Sequence, residues 1–145
     1  MIKVDISEDY DPLPHFKYDN ISNCVNILLN DYQIEYGYIN FIIVNDNTLR
    51  KMKKNYFDMD VFTDVMAFNL EEDGEQLDGE VYISWERIVE NAKTLKLAVN
   101  DEFKRILIHG VLHLIGFDDQ TKIEKTEMTT LENLYISKFN MAFYS

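Results

Sequence analysis

The sequence predicts an α+β domain in which a small mixed sheet of four strands packs with about five helices. Short apolar runs typical of strands alternate with longer stretches of helical periodicity in the first half of the chain. Two strand patterns then follow one another directly, and three helical stretches end the chain. The order βαβαββααα is typical of an α+β fold. With 145 residues, of which 46% are hydrophobic, residues 1–145 are expected to form one domain with its own core.

The first half is predicted to contain two strands and two helices. Residues 1–6 alternate apolar and polar side chains, which indicates a short strand. Apolar residues at helical spacing predict a helix over about 18–34, and a largely apolar run predicts a buried strand over 38–44. The polar cluster at 45–48 is expected to cap a second helix, because Asn, Asp and Thr accept hydrogen bonds from the first turn.

The second half is predicted to contain two strands and three helices, at 63–70, 81–84, 85–97, about 100–115 and about 120–138. The acidic segment 71–74, which ends in glycine, is expected to be a solvated turn between the two strands. Asn100 or Asp101 is expected to cap the helix that ends near residue 115.

The composition indicates the cellular compartment of the protein and whether a membrane is among its partners. The single cysteine, Cys24, cannot form an internal disulfide and lies among apolar positions of the first helix, which suits a buried thiol in a reducing compartment. No apolar run reaches the length of a membrane span, and the first residues lack the pattern of a signal peptide. These observations predict a cytoplasmic protein with no membrane partner.

Charge limits the surfaces on which the chain could bind nucleic acid. The net charge of −12 argues against a nucleic-acid partner unless positive charge is concentrated locally. The second helix offers one such concentration at Arg50, Lys51, Lys53 and Lys54. These four cations are a candidate RNA-backbone contact, and the alternative is an ordinary solvated helix surface.

The most specific motif is the run His109-Gly-Val-Leu-His113-Leu-Ile-Gly116-Phe-Asp-Asp119. On a helix, histidines four residues apart share one face, as a transition-metal site requires. A glycine at position 116 can end the helix and return the chain, so that Asp119 reaches the same metal. His109, His113 and Asp119 are therefore predicted to bind one metal ion per chain, with zinc expected.

The frame resembles that of zinc peptidases, in which glutamate follows the first histidine and acts as the general base. This chain has Gly110 there, which has no side chain. A metallohydrolase of peptides is therefore a secondary alternative.

Three segments together resemble the YbeY family of bacterial rRNA-maturation endoribonucleases. Residues 109–119 match its H-G-x-L-H-L-x-G-Y-D-H motif, and residues 63–68 (T-D-V-M-A-F) and 79–84 (G-E-V-Y-I-S) match its two strand motifs. The resemblance implies a cytoplasmic, zinc-dependent endoribonuclease specific for single-stranded RNA. It also implies action at the 3′ end of small-subunit rRNA and in ribosome quality control, with the small ribosomal subunit and assembly factors as partners.

The chain departs from the family pattern at three places: Asp119 replaces a histidine, Phe57 replaces an arginine and Phe62 replaces a proline. Arg105, one helical turn before His109, is then the best candidate for a phosphate contact, and Asp118 is a candidate proton acceptor. An alternative for Asp118 is an orienting or capping role. A second alternative function is a non-catalytic, metal-stabilised ribosome-assembly factor.

Overall fold

The structure is a computed structural model that describes residues 1–8 and 14–145. Within these ranges the chain forms four strands, β1 (Ile2–Glu8), β2 (Gly37–Val44), β3 (Val65–Asn69) and β4 (Leu77–Ser84). Five helices accompany them, α1 (Tyr18–Asp31), α2 (Asp46–Phe57), α3 (Trp85–Leu95), α4 (Val99–Leu114) and α5 (Lys122–Lys138). The predicted element order and the α+β class are confirmed.

The four strands form one sheet in the order β1-β2-β4-β3. Strands β1, β2 and β4 are parallel to one another, whereas β3 pairs antiparallel to β4 at the edge. The sheet is thus mixed, as predicted. The parallel strands are joined through helices, as parallel connections require.

The two faces of the sheet are covered unequally. Phe41 and Val81 lie side by side on neighbouring strands and belong to the main core, to which α1, α4 and α5 contribute. The next residues along the same strands, Ile42 and Tyr82, point to the other face because side chains alternate along a strand. There they pack with a much smaller cluster around Leu49 of α2.

Gly110 brings α4 close to the sheet. A Cβ atom at this position would lie 2.6 Å from Cγ1 of Val81 and 3.3 Å from Cγ2 of Val65. The first distance is shorter than a van der Waals contact, so a side chain would force the helix away from the strands. The position after the first histidine therefore faces the sheet.

Helix caps agree with the sequence in one case and disagree in another. The side chain of Asn45 accepts a hydrogen bond from the backbone N–H of Thr48 at 2.7 Å, as predicted for the start of α2. The predicted cap of α4 is wrong, because its N-cap residue is Ala98. The side chain of Asn100 instead accepts from the backbone N–H groups of Phe143 and Tyr144.

Several boundaries differ from the predictions. Helix α1 ends at Asp31, and Gln33 then adopts a left-handed backbone with φ of 63°. Strand β3 is shorter than predicted and leaves Thr63 and Asp64 outside it, whereas β4 begins earlier, at Leu77. None of the helices in the described ranges combines the length and apolarity needed to cross a membrane.

The thiol of Cys24 lies in the main core, on the buried side of α1. Burial raises its pKa to about 12, against a smaller opposing effect of the Lys104 charge. The prediction of a buried cysteine is confirmed.

Candidate metal centre and cleft

The two histidines of α4 present their Nε2 atoms to the same point. His109 and His113 lie one turn apart, and their Nε2 atoms are 3.0 Å from each other. After α4, Gly116 adopts a φ of +105°, a backbone conformation that favours glycine, and the chain reverses direction. This turn returns Asp119, whose Oδ2 lies 3.3 Å from Nε2 of His109 and whose Oδ1 lies 3.6 Å from Nε2 of His113.

The three side chains fit a transition metal in donor type and spacing. Each offers one donor atom, and the three atoms lie within 4.8 Å of one another. Ligands of a tetrahedral zinc ion, bound at about 2.0–2.1 Å, would lie about 3.3 Å apart. The observed separations bracket this value. Two imidazoles and one carboxylate also form a donor set that zinc accepts, with a further position left for a water or substrate.

A buried carboxylate contacts the outer nitrogen of His109. Oε2 of Glu132, on α5, lies 2.6 Å from Nδ1 of His109, and the Glu132 residue is only 3% exposed. Burial disfavours the charged imidazole, but the bond to Glu132 and the nearby charges of Asp119 and Asp64 raise the pKa of His109 above its ordinary value.

Glu132 lies outside the motifs that predicted the site. Its spacing does indicate a buried position, because Glu132 lies four residues after the buried Met128 and three before the buried Tyr135. A carboxylate on the apolar side of a helix normally requires a partner.

The candidate metal ligands His109, His113 and Asp119 lie in a cleft of about 370 Å³. Asp118 lines this cleft, and its Oδ1 accepts the backbone N–H of Asp119 at 2.8 Å. Asp64 also lines the cleft, and burial raises the pKa of its carboxyl above the ordinary value, against the opposing charges of His109 and Arg105. The sequence analysis gave no role to Asp64, although it lies within the matched segment 63–68.

Arg105 is oriented differently from the sequence prediction. Its Nε and Nη2 atoms donate to Glu102 at 2.8 and 2.6 Å, and its Nη1 lies 3.5 Å from Oε1 of Glu132. Arg105 is absent from the side chains that line the cleft within the described ranges. Glu102 is fully buried and attracts the guanidinium inward. The structure therefore pairs Arg105 with carboxylates beneath the site.

The four cations of α2 differ in whether they line the cleft. Lys53 lines the cleft with Phe57, and its Nζ lies 4.8 Å from the centre of the Phe57 ring. Arg50 donates to Asp60 at 2.7 Å and lies over the ring of Phe62. Lys51 and Lys54 are exposed and do not line the cleft.

Comparison with known proteins identifies the family. The family model described as endoribonuclease YbeY matches residues 6–140, nearly the whole chain. The chain belongs to this family. The resemblance predicted from the three sequence segments is thereby confirmed. Membership in the YbeY family and the convergence of His109, His113 and Asp119 together support a metal cofactor.

Individual relatives agree with this membership. An endoribonuclease YbeY of Amoebophilus asiaticus is 42% identical over 98 residues, which cover 68% of this chain and 67% of that protein. An endoribonuclease YbeY of Flavobacterium psychrophilum is 34% identical over 116 residues, 80% of this chain and 81% of that protein. The solution structure of TM1509 from Thermotoga maritima shares the fold, with a TM-score of 0.61 and 24% identity, over 96% of this chain and 89% of that one.

Proposed function

We propose that this protein is a metal-dependent endoribonuclease that cuts single-stranded RNA during rRNA processing. The observation that carries the proposal is the convergence of His109, His113 and Asp119 at the cleft, in a chain of the YbeY family. The proposed biological setting is maturation of the 3′ end of small-subunit rRNA and ribosome quality control in the cytoplasm. The small ribosomal subunit and its assembly factors are the proposed partners.

Zinc is the proposed metal, at one ion per chain, held by His109, His113 and Asp119. When bound, it would activate water and withdraw negative charge from a phosphate oxygen. The carboxylate ligand adds one negative charge relative to a site of three imidazoles. It therefore also shifts preference toward harder ions such as manganese.

The remaining cleft residues are proposed to handle the proton and the RNA strand. Hydrolysis of a phosphodiester needs a group that takes a proton from the attacking water, and Asp118 is exposed on the cleft wall beside Asp119. Lys53 is the α2 cation best placed to contact a phosphate at the metal. Arg50, Lys51 and Lys54 are proposed to contact the backbone further along the strand.

Phe57 gives the cleft a surface for a base. Its ring is about half exposed at 51% and lines the cleft beside Lys53. Bases of single strands stack on exposed aromatic rings with little dependence on sequence. An aromatic ring and a cation at the same rim are suited to a flexible single strand, whose bases are free to leave their own stack.

The two alternatives are less well supported. A peptidase base cannot come from position 110, because that position faces Val81 and Val65 and has no room for a side chain. A non-catalytic assembly factor would not require a proton acceptor and cations around the metal ligands, although such a protein could bind RNA through the same cleft.

The decisive experiment compares three substrates on one preparation of protein. Labelled single-stranded RNA, the same RNA annealed to its complement, and casein are incubated with protein that is metal-loaded or chelator-treated. We expect cleavage of the single strand only, loss of cleavage with the chelator, and recovery when zinc is returned.

The matched variants are His113→Ala, which should be inactive, and His15→Ala, which changes a histidine outside the ligand cluster and should remain active. Cleavage of casein would favour the peptidase. RNA binding without cleavage in every metal condition would favour the non-catalytic factor.

A further inference from the structure

A chain of charged side chains leads from the interior to the proposed metal ligands. Glu102 and Glu132 are 0% and 3% exposed, and the partly buried Arg105, whose side chain is 29% exposed, lies between them. Arg105 holds Glu102 through two short hydrogen bonds and approaches Glu132 at 3.5 Å through its third nitrogen. The three charges thus form a continuous ionic group on α4 and α5.

The other end of this group reaches the cleft wall. The side-chain amide of Asn91, on α3, donates to Oε2 of Glu102 at 3.4 Å and to Oδ2 of Asp64 at 3.2 Å. The ionic group therefore reaches the cleft at two places, at Asp64 through the amide of Asn91 and at His109 through a direct contact with Glu132.

Stability alone does not account for this group. Removing two carboxylates from water costs several kcal/mol per ion, by the general scale for buried charges, and an apolar set of equal volume is often as stable. A buried ionic group that ends within hydrogen-bonding distance of a metal ligand suggests a role at that ligand.

The geometry at His109 indicates what that role is. An ionised carboxylate accepts hydrogen bonds and donates none, so Glu132 requires the proton of the imidazole to be on Nδ1. The lone pair is then on Nε2, the atom that faces His113 and Asp119. We propose that Glu132 is a positioning residue that fixes the tautomer and ring orientation of His109 for metal binding, and that Arg105 holds Glu132 in place.

His113 provides an internal contrast. Within residues 1–8 and 14–145, its only side-chain hydrogen-bonding partner is Nε2 of His109, and its Nδ1 has no hydrogen-bonding partner. The two imidazoles therefore differ in how they are oriented. A buried carboxylate binds the Nδ1 atom of His109, whereas no carboxylate in these ranges binds that of His113.

This inference rests on the metal site assigned under the proposed function, and its test separates the two. Apoprotein is titrated with Co²⁺, followed by visible absorption, and with Zn²⁺ against a chromogenic chelator. Loss of an outer hydrogen-bonding partner typically weakens metal binding about 10–100-fold. Glu132→Gln should fall near the lower end of that range and Glu132→Ala near the upper end, with an altered Co²⁺ spectrum in both.

The control variant is Asp31→Ala, which removes the acceptor of the 2.7 Å hydrogen bond from the Tyr135 hydroxyl and so disturbs the docking of α5 without touching His109. It should lower the melting temperature of the apoprotein and leave the metal affinity unchanged. If the wild-type protein binds no metal, the proposed function fails. If the wild type binds metal and Glu132→Gln binds it equally well with the same spectrum, only the present inference is overturned.

A measurement on the unaltered protein covers the case in which the Glu132 variants do not fold. Long-range ¹H–¹⁵N correlation spectra of zinc-loaded protein at pH 8 identify the protonated nitrogen of each histidine. We expect the proton of His109 on Nδ1, shifted downfield by a short hydrogen bond, and the metal on Nε2. Metal on Nδ1 of His109 would overturn the proposal.

Discussion

The two faces of the sheet differ in how firmly they hold the groups proposed for catalysis. On the face covered by α4 and α5, two of the three proposed ligands, His109 and His113, lie on a helix that packs directly on the strands and contacts buried carboxylates. On the face covered by α2, the buried cluster is small, and Tyr56 and Phe57 at the end of α2 are 68% and 51% exposed. A metal ion requires ligands at fixed positions, whereas a flexible single strand of RNA is better bound by side chains that can adjust their conformation.

The difference between the two faces also determines whether a substitution is expected to change folding stability or RNA binding. Arg50 and Asp60 on the α2 side are both substantially exposed, and exposed ion pairs contribute little to stability. Substitutions on this side should change RNA affinity with little effect on folding. Substitutions beneath the ligands should change both, because the buried groups there depend on one another.

The largest expected effect is on metal affinity and distinguishes the neighbouring carboxylates Asp118 and Asp119. Asp119→Ala removes a proposed ligand, and we expect metal affinity to fall by more than the roughly 10–100-fold typical of an outer-shell change. Asp118→Ala should retain most of the affinity, and Asp119→His, which supplies a third imidazole, should retain it as well. Equilibrium titration with Zn²⁺ measures all three. Metal lost in Asp118→Ala and kept in Asp119→Ala would mean that the ligand assignment is displaced by one residue.

The next effect tests the closeness of α4 to the sheet. Gly110→Ala places a methyl group against Val81, and overpacking of this kind typically costs about 1–3 kcal/mol, offset by about 1 kcal/mol of helix propensity. We expect the free energy of unfolding in urea to fall by about 0–2 kcal/mol, the difference between these two effects. In a Val81→Ala background, the same change should be neutral or stabilising. An equal cost in both backgrounds would show that the contact with Val81 is not responsible.

The smallest effect belongs to the α2 side. Lys53→Ala should weaken binding to single-stranded RNA and lower the slope of log affinity against log salt by about 0.7, the value expected for one phosphate contact. Lys51→Ala, on the same helix but away from the cleft, should have a smaller effect. Both variants should keep the free energy of unfolding within about 0.5 kcal/mol of the wild type. Equal effects on RNA binding would indicate a diffuse electrostatic attraction rather than a contact at the cleft.

Much of the fold could be predicted because the sequence patterns are local. Alternation and helical spacing located, in the right order, the nine elements that the structure describes in residues 1–8 and 14–145, and the polar cluster before α2 predicted its cap at Asn45. The exact ends were less predictable. The sequence suggested Asn100 as a helix cap, but its side-chain oxygen accepts the backbone N–H of Phe143, which lies 43 residues away.

The candidate site likewise contains some residues that local patterns predict and others that they do not. The proposed ligands His109, His113 and Asp119 lie within eleven residues of sequence. Helical geometry and one glycine were therefore enough to predict that they lie close together. Glu132 and Asp64 reach the site from other elements, and no local pattern predicts which carboxylate will face which ring. Arg105 shows the limit most clearly, since helical spacing placed it near His109 but gave no indication that Glu102 would turn its guanidinium inward.

The buried ionic group also constrains how this sequence can change over evolutionary time. Removing one member of a buried charge pair typically costs about 3–5 kcal/mol, a large part of the stability of a small domain. Single substitutions at Glu102, Arg105 or Glu132 would therefore be selected against, even where a coordinated replacement of all three would fold. These positions should persist or be exchanged as a set, while exposed positions without a role at the cleft, such as Ile123, can change one at a time.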